Sequence, residues 1–333
     1  MTVLALPPNF TLVYYRFTMT ALQPLHLPTY KGVALRGGLG QTLKKLTCNQ
    51  PWTCEKACPR GNDCPYGYIF ETSPPDGAEV LRNFSEVPRP FVIEPPRDRR
   101  ETILPGEQLS FGLILIGHGM NYFPYFLAVF RELGWQGLGQ GRGQYELNTI
   151  DAISPLDGVV EPVYRADRPE VRMTRLTPTS QAITDYAASL PAQRLTVEFL
   201  TTTQLKHQDR MLEVGPPFAV LVKALLSRVS ALSYFHCWQR FETDFRGWID
   251  RAAAVRLVQD KTYQEAWSRF STRQTERIDR VEKRKRIEMG GLLGQVTYEG
   301  DLAPYLPLLV LGQLIHVGKK TVFGNGQYRI MEQ

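Results

Sequence analysis

Gly318-Lys319-Lys320-Thr321-Val322-Phe323-Gly324-Asn325-Gly326-Gln327-Tyr328 follows an apolar segment, Pro304 to Ile315, that reads as a helix with His316 at its end. Closely spaced glycines let a backbone approach another group, and amide N–H groups in such a turn can form an anion-binding hollow. Lys319 and Lys320 place two positive charges in the same turn. This is phosphate-binding chemistry, although the order of residues does not match the P-loop pattern G-x-x-x-x-G-K-[ST]. A plain tight hairpin is the other reading. An echo earlier in the chain gives the stretch its context. Gly141-Arg142-Gly143-Gln144-Tyr145-Glu146-Leu147 has the same plan as Gly324-Asn325-Gly326-Gln327-Tyr328-Arg329-Ile330. Each follows an apolar helix opened by a proline (Pro124 and Pro304), and each leads into an alternating strand. Self-similarity of this kind argues duplicated domains. Strand–helix–strand, then strand–helix–glycine turn–strand, is the order of a ferredoxin-like unit. The expected fold class is therefore α+β, with tandem ferredoxin-like domains over 1–168 and 169–333 and a C-terminal glycine-rich loop.

The remaining elements fit that plan. Strands are expected over Asn9–Met19, Phe91–Glu94, Ser110–Ile116, Leu195–Leu200 and Gly294–Tyr298, from alternation or compact apolar runs. Val33, Leu35, Leu39, Leu43 and Leu46 give a helical rhythm, weakened by its glycines by about 1 kcal/mol each. Those glycines also permit close approach of another backbone. Pro217 opens a long helix with Phe218, Leu221, Val222, Leu225, Val229 and Leu232 facing inward.

The 333 residues are 43% hydrophobic and 22% charged, an ordinary globular balance with room for two domains. The formal net charge of +6 permits an anionic partner without requiring one. No unbroken apolar run is long enough to span a bilayer, and the N-terminus lacks the pattern of a secretory signal. A soluble, cytoplasmic protein with no membrane partner is expected. Four of the five cysteines, Cys48, Cys54, Cys58 and Cys64, cluster with spacings of five, three and five residues. In an intracellular chain this suggests structural zinc, within an insert over about 47–66, against reduced thiols or a labile disulfide. A four-thiolate site has no open position for catalysis.

Taken together, these features resemble the CRISPR-associated repeat-processing endoribonucleases of the RAMP superfamily. The matching segments are Tyr30-Lys31-Gly32 with Leu35-Arg36-Gly37, Cys64-Pro65-Tyr66-Gly67 with Phe70-Glu71, Gly117, and His316-Val317-Gly318-Lys319 with Phe323-Gly324-Asn325-Gly326. The glycine-rich end is typical of the superfamily, and its combination with the cysteine block is typical of one branch. The resemblance implies cleavage of CRISPR precursor RNA within its repeats, without a catalytic metal, by attack of a ribose 2′-hydroxyl. The product would be a mature guide with a 5′ handle. Partners would be the repeat RNA, the mature crRNA and other CRISPR effector subunits.

Relatives commonly carry a catalytic histidine at the first helix, where this chain has Gln41. Glutamine cannot shuttle a proton at neutral pH, so proton transfer is expected from His26 or His316 with Tyr30 nearby. For His316, capping of the preceding helix is the competing role. RNA contacts are expected from Lys31, Arg36, Lys44, Lys45, Gly318, Lys319, Lys320, Gly324 and Gly326, and from Arg273, Arg277, Arg280 and Arg284, which share a stripe if their segment is helical. His118 is a weaker candidate, His236 reads as core and His207 as a solvated loop. Without a proton-transfer group the chain would be a non-catalytic subunit that binds the crRNA repeat. A zinc-pinned scaffold for protein partners would show no salt-dependent RNA affinity.

Overall fold

The computed structural model describes residues 3–48, 58, 60–72, 74, 87–168, 170–278 and 281–331, and only the backbone over 272–278 and 281–283. The first half contains β1 (Leu12–Ala21), β2 (Leu25–His26), α1 (Gly32–Thr47), α2 (Pro65–Phe70), β3 (Phe91–Glu94), β4 (Thr102–Ile103), β5 (Gln108–Ile116), α3 (Phe123–Gln136), β6 (Tyr145–Ile153) and β7 (Val160–Arg165). Its sheet has the order β3-β5-β1-β6-β7, every pairing antiparallel. The second half contains α4 (Ser180–Ala187), β8 (Arg194–Thr203), β9 (Lys206–His207), β10 (Arg210–Met211), α5 (Phe218–His236), α6 (Phe245–Ala252), β11 (Arg256–Glu265), β12 (Ser268–Ile278), β13 (Val281–Glu288), β14 (Gly291–Glu299), α7 (Leu306–Ile315) and β15 (Tyr328–Met331). Its sheet has the order β11-β14-β8-β15. Counting the strands of each sheet in chain order, both run second-third-first-fourth, with β7 added as a fifth at the edge of the first, so the chain is two tandem ferredoxin-like folds of the α+β class.

The echo has a shared physical cause. Tyr145 opens β6 and Tyr328 opens β15. The Tyr145 hydroxyl donates to Phe130 O on α3 at 2.7 Å, and the Tyr328 hydroxyl donates to Leu309 O on α7 at 2.6 Å. Each ring is buried under a glycine of its helix, Gly134 or Gly312, where a Cβ would collide with the tyrosine. The Gly-x-Gly-Gln-Tyr sequence thus turns the chain out of a helix and locks the next strand against it.

Each half also buries a core of alternating strand residues and apolar helix faces. Phe17, Met19, Leu35, Leu39, Leu113 and Phe130 lie in the first, and Leu195, Val197, Leu225, Val229, Val296 and Leu309 in the second. α5 is long and apolar enough to cross a membrane by length and composition, which the count of unbroken apolar runs did not register. Here it packs against α6 and α7, and its Arg228 donates to Ile315 O at 2.9 and 2.7 Å, closing the end of α7. Burial pulls the Arg228 guanidinium down to about 9.

Arg273, Arg277 and Arg284 do not lie on a helix. They belong to the β12–β13 hairpin, whose register sets Thr275 opposite Arg284. Thr272, Thr275, Ile278, Val281 and Ile287 supply the β-branched content that favours strands, and it outweighs the i, i+4 spacing of the arginines. The side chains of Arg273 and Arg277, and all of Arg280, lie outside the described residues; Arg284 is exposed.

Candidate functional site

The glycine-rich loop closes a seam between the two domains. Its first wall is the start of α1, where a Cβ on Gly32 would lie 1.9 Å from Phe323 O. Its second is the end of β3, where a Cβ on Gly324 would meet Pro95 and Ile93 O, and Gly324 has φ 93°. Only glycine suits either position. Five of the loop amides bond inside the protein. Lys319 N donates to Gln204 O, Phe323 N to Lys320 O, Gly324 N to Thr321 O and Gly326 N to Thr202 O, while Gln327 N donates to Thr201 Oγ1. In place of the open hollow of amides expected from the sequence there is a packed turn, and positive charge at the loop comes from side chains.

Those side chains form a stack. The Arg36 guanidinium lies 4.3 Å from the Phe70 ring centroid and 4.4 Å from that of Phe323, and Arg269 lies 4.8 Å from Phe323. Arg269 Nε is buried with no hydrogen-bond partner among the described residues. Lys320 donates to Gln204 Oε1 at 2.8 Å and to Glu288 O. Burial, then the charges of Lys319 and Arg269, hold the Lys320 ammonium below its usual range. Burial and Lys206 do the same to Lys319, which is exposed. Four cations thus gather at one loop, and neutralising them would relieve their mutual repulsion.

Beside them Tyr30 stacks on Trp267, with ring centroids 3.9 Å apart and planes 8° from parallel. Trp267 Nε1 donates to Thr202 Oγ1, which also accepts from Asn325 Nδ2, so the stack and the glycine loop share one anchor. Burial, then a hydrogen bond to Glu265, pushes the Tyr30 phenol above its ordinary value, and Glu265 also pairs with Arg99 at 2.5 Å. Tyr30 is a proton donor across the neutral range.

The other sequence candidates scatter. Lys31 is fully buried and donates to Asp98 O at 2.8 Å, with Asp98 Oδ1 at 3.1 Å, so its charge is already matched. Lys44 and Lys45 sit at the far end of α1, ~18 Å along the axis from Gly32. His26 is exposed on β2, with Nδ1 3.3 Å from Thr102 Oγ1 and its backbone bridged to Gln140 in the first-half glycine turn. His316 is fully buried. Its Nδ1 lies 3.1 Å from Asn325 O and its Nε2 lies 2.8 Å from Glu94 Oε1. The two contacts hold the ring between the glycine loop and β3.

His236 is buried in the core and His207 exposed, and His118 stands beside a second cleft. Cys48 ends α1, Cys64 precedes α2, Cys58 lies between them, and Cys54 falls outside the described residues. No group of three or more potential metal ligands converges among the described residues. Trp267, Arg269, Phe323 and Lys206 were missed in the sequence. The pair Trp267 and Arg269 beside the basic run was the available signal.

Comparison with known proteins places this geometry. Residues 10–176 match the family model of the AF_1859_N N-terminal domain, and residues 197–328 match that of the CRISPR-associated endoribonuclease Cas6. An uncharacterized protein of Archaeoglobus fulgidus is 24% identical over 320 residues, covering 92% of this chain and 93% of that protein. Among solved structures, a partial Cas6-RT-Cas1–Cas2 complex aligns with all of this chain at TM-score 0.59 and 13% identity, and the chain spans 47% of that longer protein. A Cas6 product complex aligns with 96% of this chain and all of that protein at TM-score 0.54 and 15% identity. A Thermus thermophilus Cas6 aligns with 97% of this chain and 99% of that protein at TM-score 0.53 and 12% identity. The chain thus carries an AF_1859_N N-terminal domain as its first half, and its second half is similar to the CRISPR-associated endoribonuclease Cas6.

Proposed function

We propose that this protein is an endoribonuclease that cuts CRISPR precursor RNA within its repeats, leaving a mature crRNA with a 5′ handle. The observation that carries the reading is the buried Arg269 Nε, without a hydrogen-bond partner among the described residues, beside Lys320, Lys319 and the Tyr30–Trp267 stack. A phosphate there would fill the open donor and discharge the crowded cations. In the proposed reaction the ribose 2′-hydroxyl loses its proton and its oxygen attacks the adjacent phosphorus in line. The bond to the 5′ oxygen breaks, and that oxygen takes a proton. The products are a 2′,3′-cyclic phosphate and a 5′-hydroxyl. Tyr30, held protonated, suits the leaving group; His26 is the exposed histidine proposed as the base; His316 is assigned to tying the domains. Incubation with the chain's own repeat RNA in EDTA should give cleavage, and a 2′-deoxy residue at the scissile position should stop it while binding persists.

A non-catalytic crRNA-repeat-binding subunit is the second reading, favoured by the exposed Gln41 on an α1 without histidine. Tight binding without cleavage in the same assay would select it. We also propose that Cys48, Cys54, Cys58 and Cys64 hold one structural zinc, because four thiolates form a closed donor set. Metal analysis of the purified protein should find one equivalent, and none would remove the proposal. Other CRISPR effector subunits are proposed as protein partners.

A further inference from the structure

A second cleft, sharing no residue with the seam, opens where the end of α5 meets α2 and the start of α3. Its volume is 660 Å³; Tyr68, His118, Tyr122 and Trp238 wall it, and Asp63 and Arg240 stand at its edges. Trp238 is 75% exposed, and its backbone is in the left-handed region with φ 49°. A bulky residue adopts that conformation only when its surroundings force it. Here Gln239 N donates to Ser233 O, the Ser233 hydroxyl donates to Gln239 O at 2.8 Å, and Asn9 N donates to Gln239 Oε1 at 2.8 Å. The chain is pinned on the C-terminal side of Trp238, and the large ring is held out in water.

The ring is braced from behind. The His118 imidazole lies 4.7 Å from it, centroid to centroid, and Tyr68 and Tyr122 meet His118 edge-on at 5.3 and 5.6 Å. The Tyr68 hydroxyl lies 2.9 Å from His236 Nδ1, which fixes that wall to α5. Burial holds His118 below the ordinary imidazole range, so this wall favours a flat neutral ring over an anion. A rigid aromatic face, an exposed carboxylate and an exposed guanidinium around one cleft are the parts that recognise a nucleotide with its base unstacked.

We propose that this cleft takes one unpaired nucleobase of the RNA, stacked on Trp238, with Asp63 accepting from an exocyclic amine and Arg240 facing the adjoining phosphate. The assignment rests on the RNA-binding reading above. It gives the protein a grip on single-stranded RNA built from residues other than those of the proposed cleavage chemistry.

The test uses the full chain and a 12-nucleotide single-stranded RNA of mixed sequence, with 2-aminopurine placed at each position in turn. At one position the wild type and Trp238→Phe should quench the fluorescence by stacking. Trp238→Ala and Trp238→Gly should lose that quenching and bind about five- to a hundred-fold more weakly. Glycine accepts φ 49° without strain, so Trp238→Gly separates loss of the ring from loss of the fold. Wild-type affinity and unchanged quenching in the Ala and Gly variants would overturn the proposal while leaving RNA binding intact. If the wild type retains no RNA on a filter at low salt, the RNA reading itself fails and the cleft assignment falls with it.

Discussion

His316 and Glu94 meet across the seam, with Nε2 of the ring 2.8 Å from Oε1 of the carboxylate and the ring wholly withdrawn from water. The contact joins the last turn of the second domain to β3 of the first. Removing one partner of a buried pair leaves the other uncompensated. His316→Ala and Glu94→Gln should each cost about 3–5 kcal/mol in urea unfolding. The double variant should cost less than the sum. A His316→Ala protein that unfolds like wild type yet no longer cleaves RNA would show the ring to be a proton carrier instead.

Tyr30 is held above its ordinary value by burial and by Glu265, so it keeps its proton through neutral and mildly alkaline pH. Tyr30→Phe keeps the stack on Trp267 and removes only the hydroxyl. Single-turnover cleavage should slow by about 10²–10⁴-fold with RNA affinity within a factor of three, magnitudes typical of losing one acid–base group. An unaltered rate would exclude Tyr30 from proton transfer.

Arg269, Lys319 and Lys320 are predicted to hold phosphates. Replacing all three with alanine should weaken RNA binding and reduce the slope of log affinity against log salt by about 2–3, near one per lost contact. The lysines add a pH signature. Their charged forms are disfavoured, so they lose protons at lower pH than an ordinary lysine. Affinity should therefore fall at a lower pH than ordinary lysines would give, and Lys319→Arg with Lys320→Arg should shift that fall to higher pH. Identical profiles for wild type and the arginine variant would count against both residues.

His236 predicts an acid sensitivity. It is fully buried, donates from Nε2 to Pro88 O at 2.6 Å, and accepts from Tyr68 at Nδ1. Burial pulls it down to about 4. An unfolded histidine titrates near about 6.5, so the stability from keeping this ring neutral is whole above that pH. It drains as pH falls toward 4, in total about 3 kcal/mol. Urea titrations at decreasing pH should show the loss, and His236→Gln should flatten the slope between about pH 6.5 and 4. A slope untouched by the substitution would place the sensitivity elsewhere.

The glycine-rich loop shows how far a sequence reading reaches. Its repeat of Gly-x-Gly-Gln-Tyr at 141–145 and 324–328 correctly marks two copies of one fold, because the turn, the tyrosine and the helix it bonds to are close in the chain. Helices opened at Pro124 and Pro217 are legible for the same reason: apolar period and proline placement are local. The basic run at 273–286 is the counterexample. Its arginines fit a helical stripe, while its threonines and isoleucines form a hairpin.

Side-chain roles at the seam were the least legible. Lys31 looked like a phosphate ligand until Asp98, 67 residues away, matched its charge. Glu94 reaches His316 across 222 residues, and Tyr30 and Trp267 come from different domains.

The sequence by itself determined the α+β class, the duplication and the glycine turn that ends each copy, since these rest on local period, turn chemistry and self-similarity. Only the tertiary structure decided which cations stay available and which are neutralised, which histidines are exposed, and that several of the loop amides bond within the fold. Burial and hydrogen-bond partners depend on contacts between segments far apart in the chain, and no local pattern encodes them.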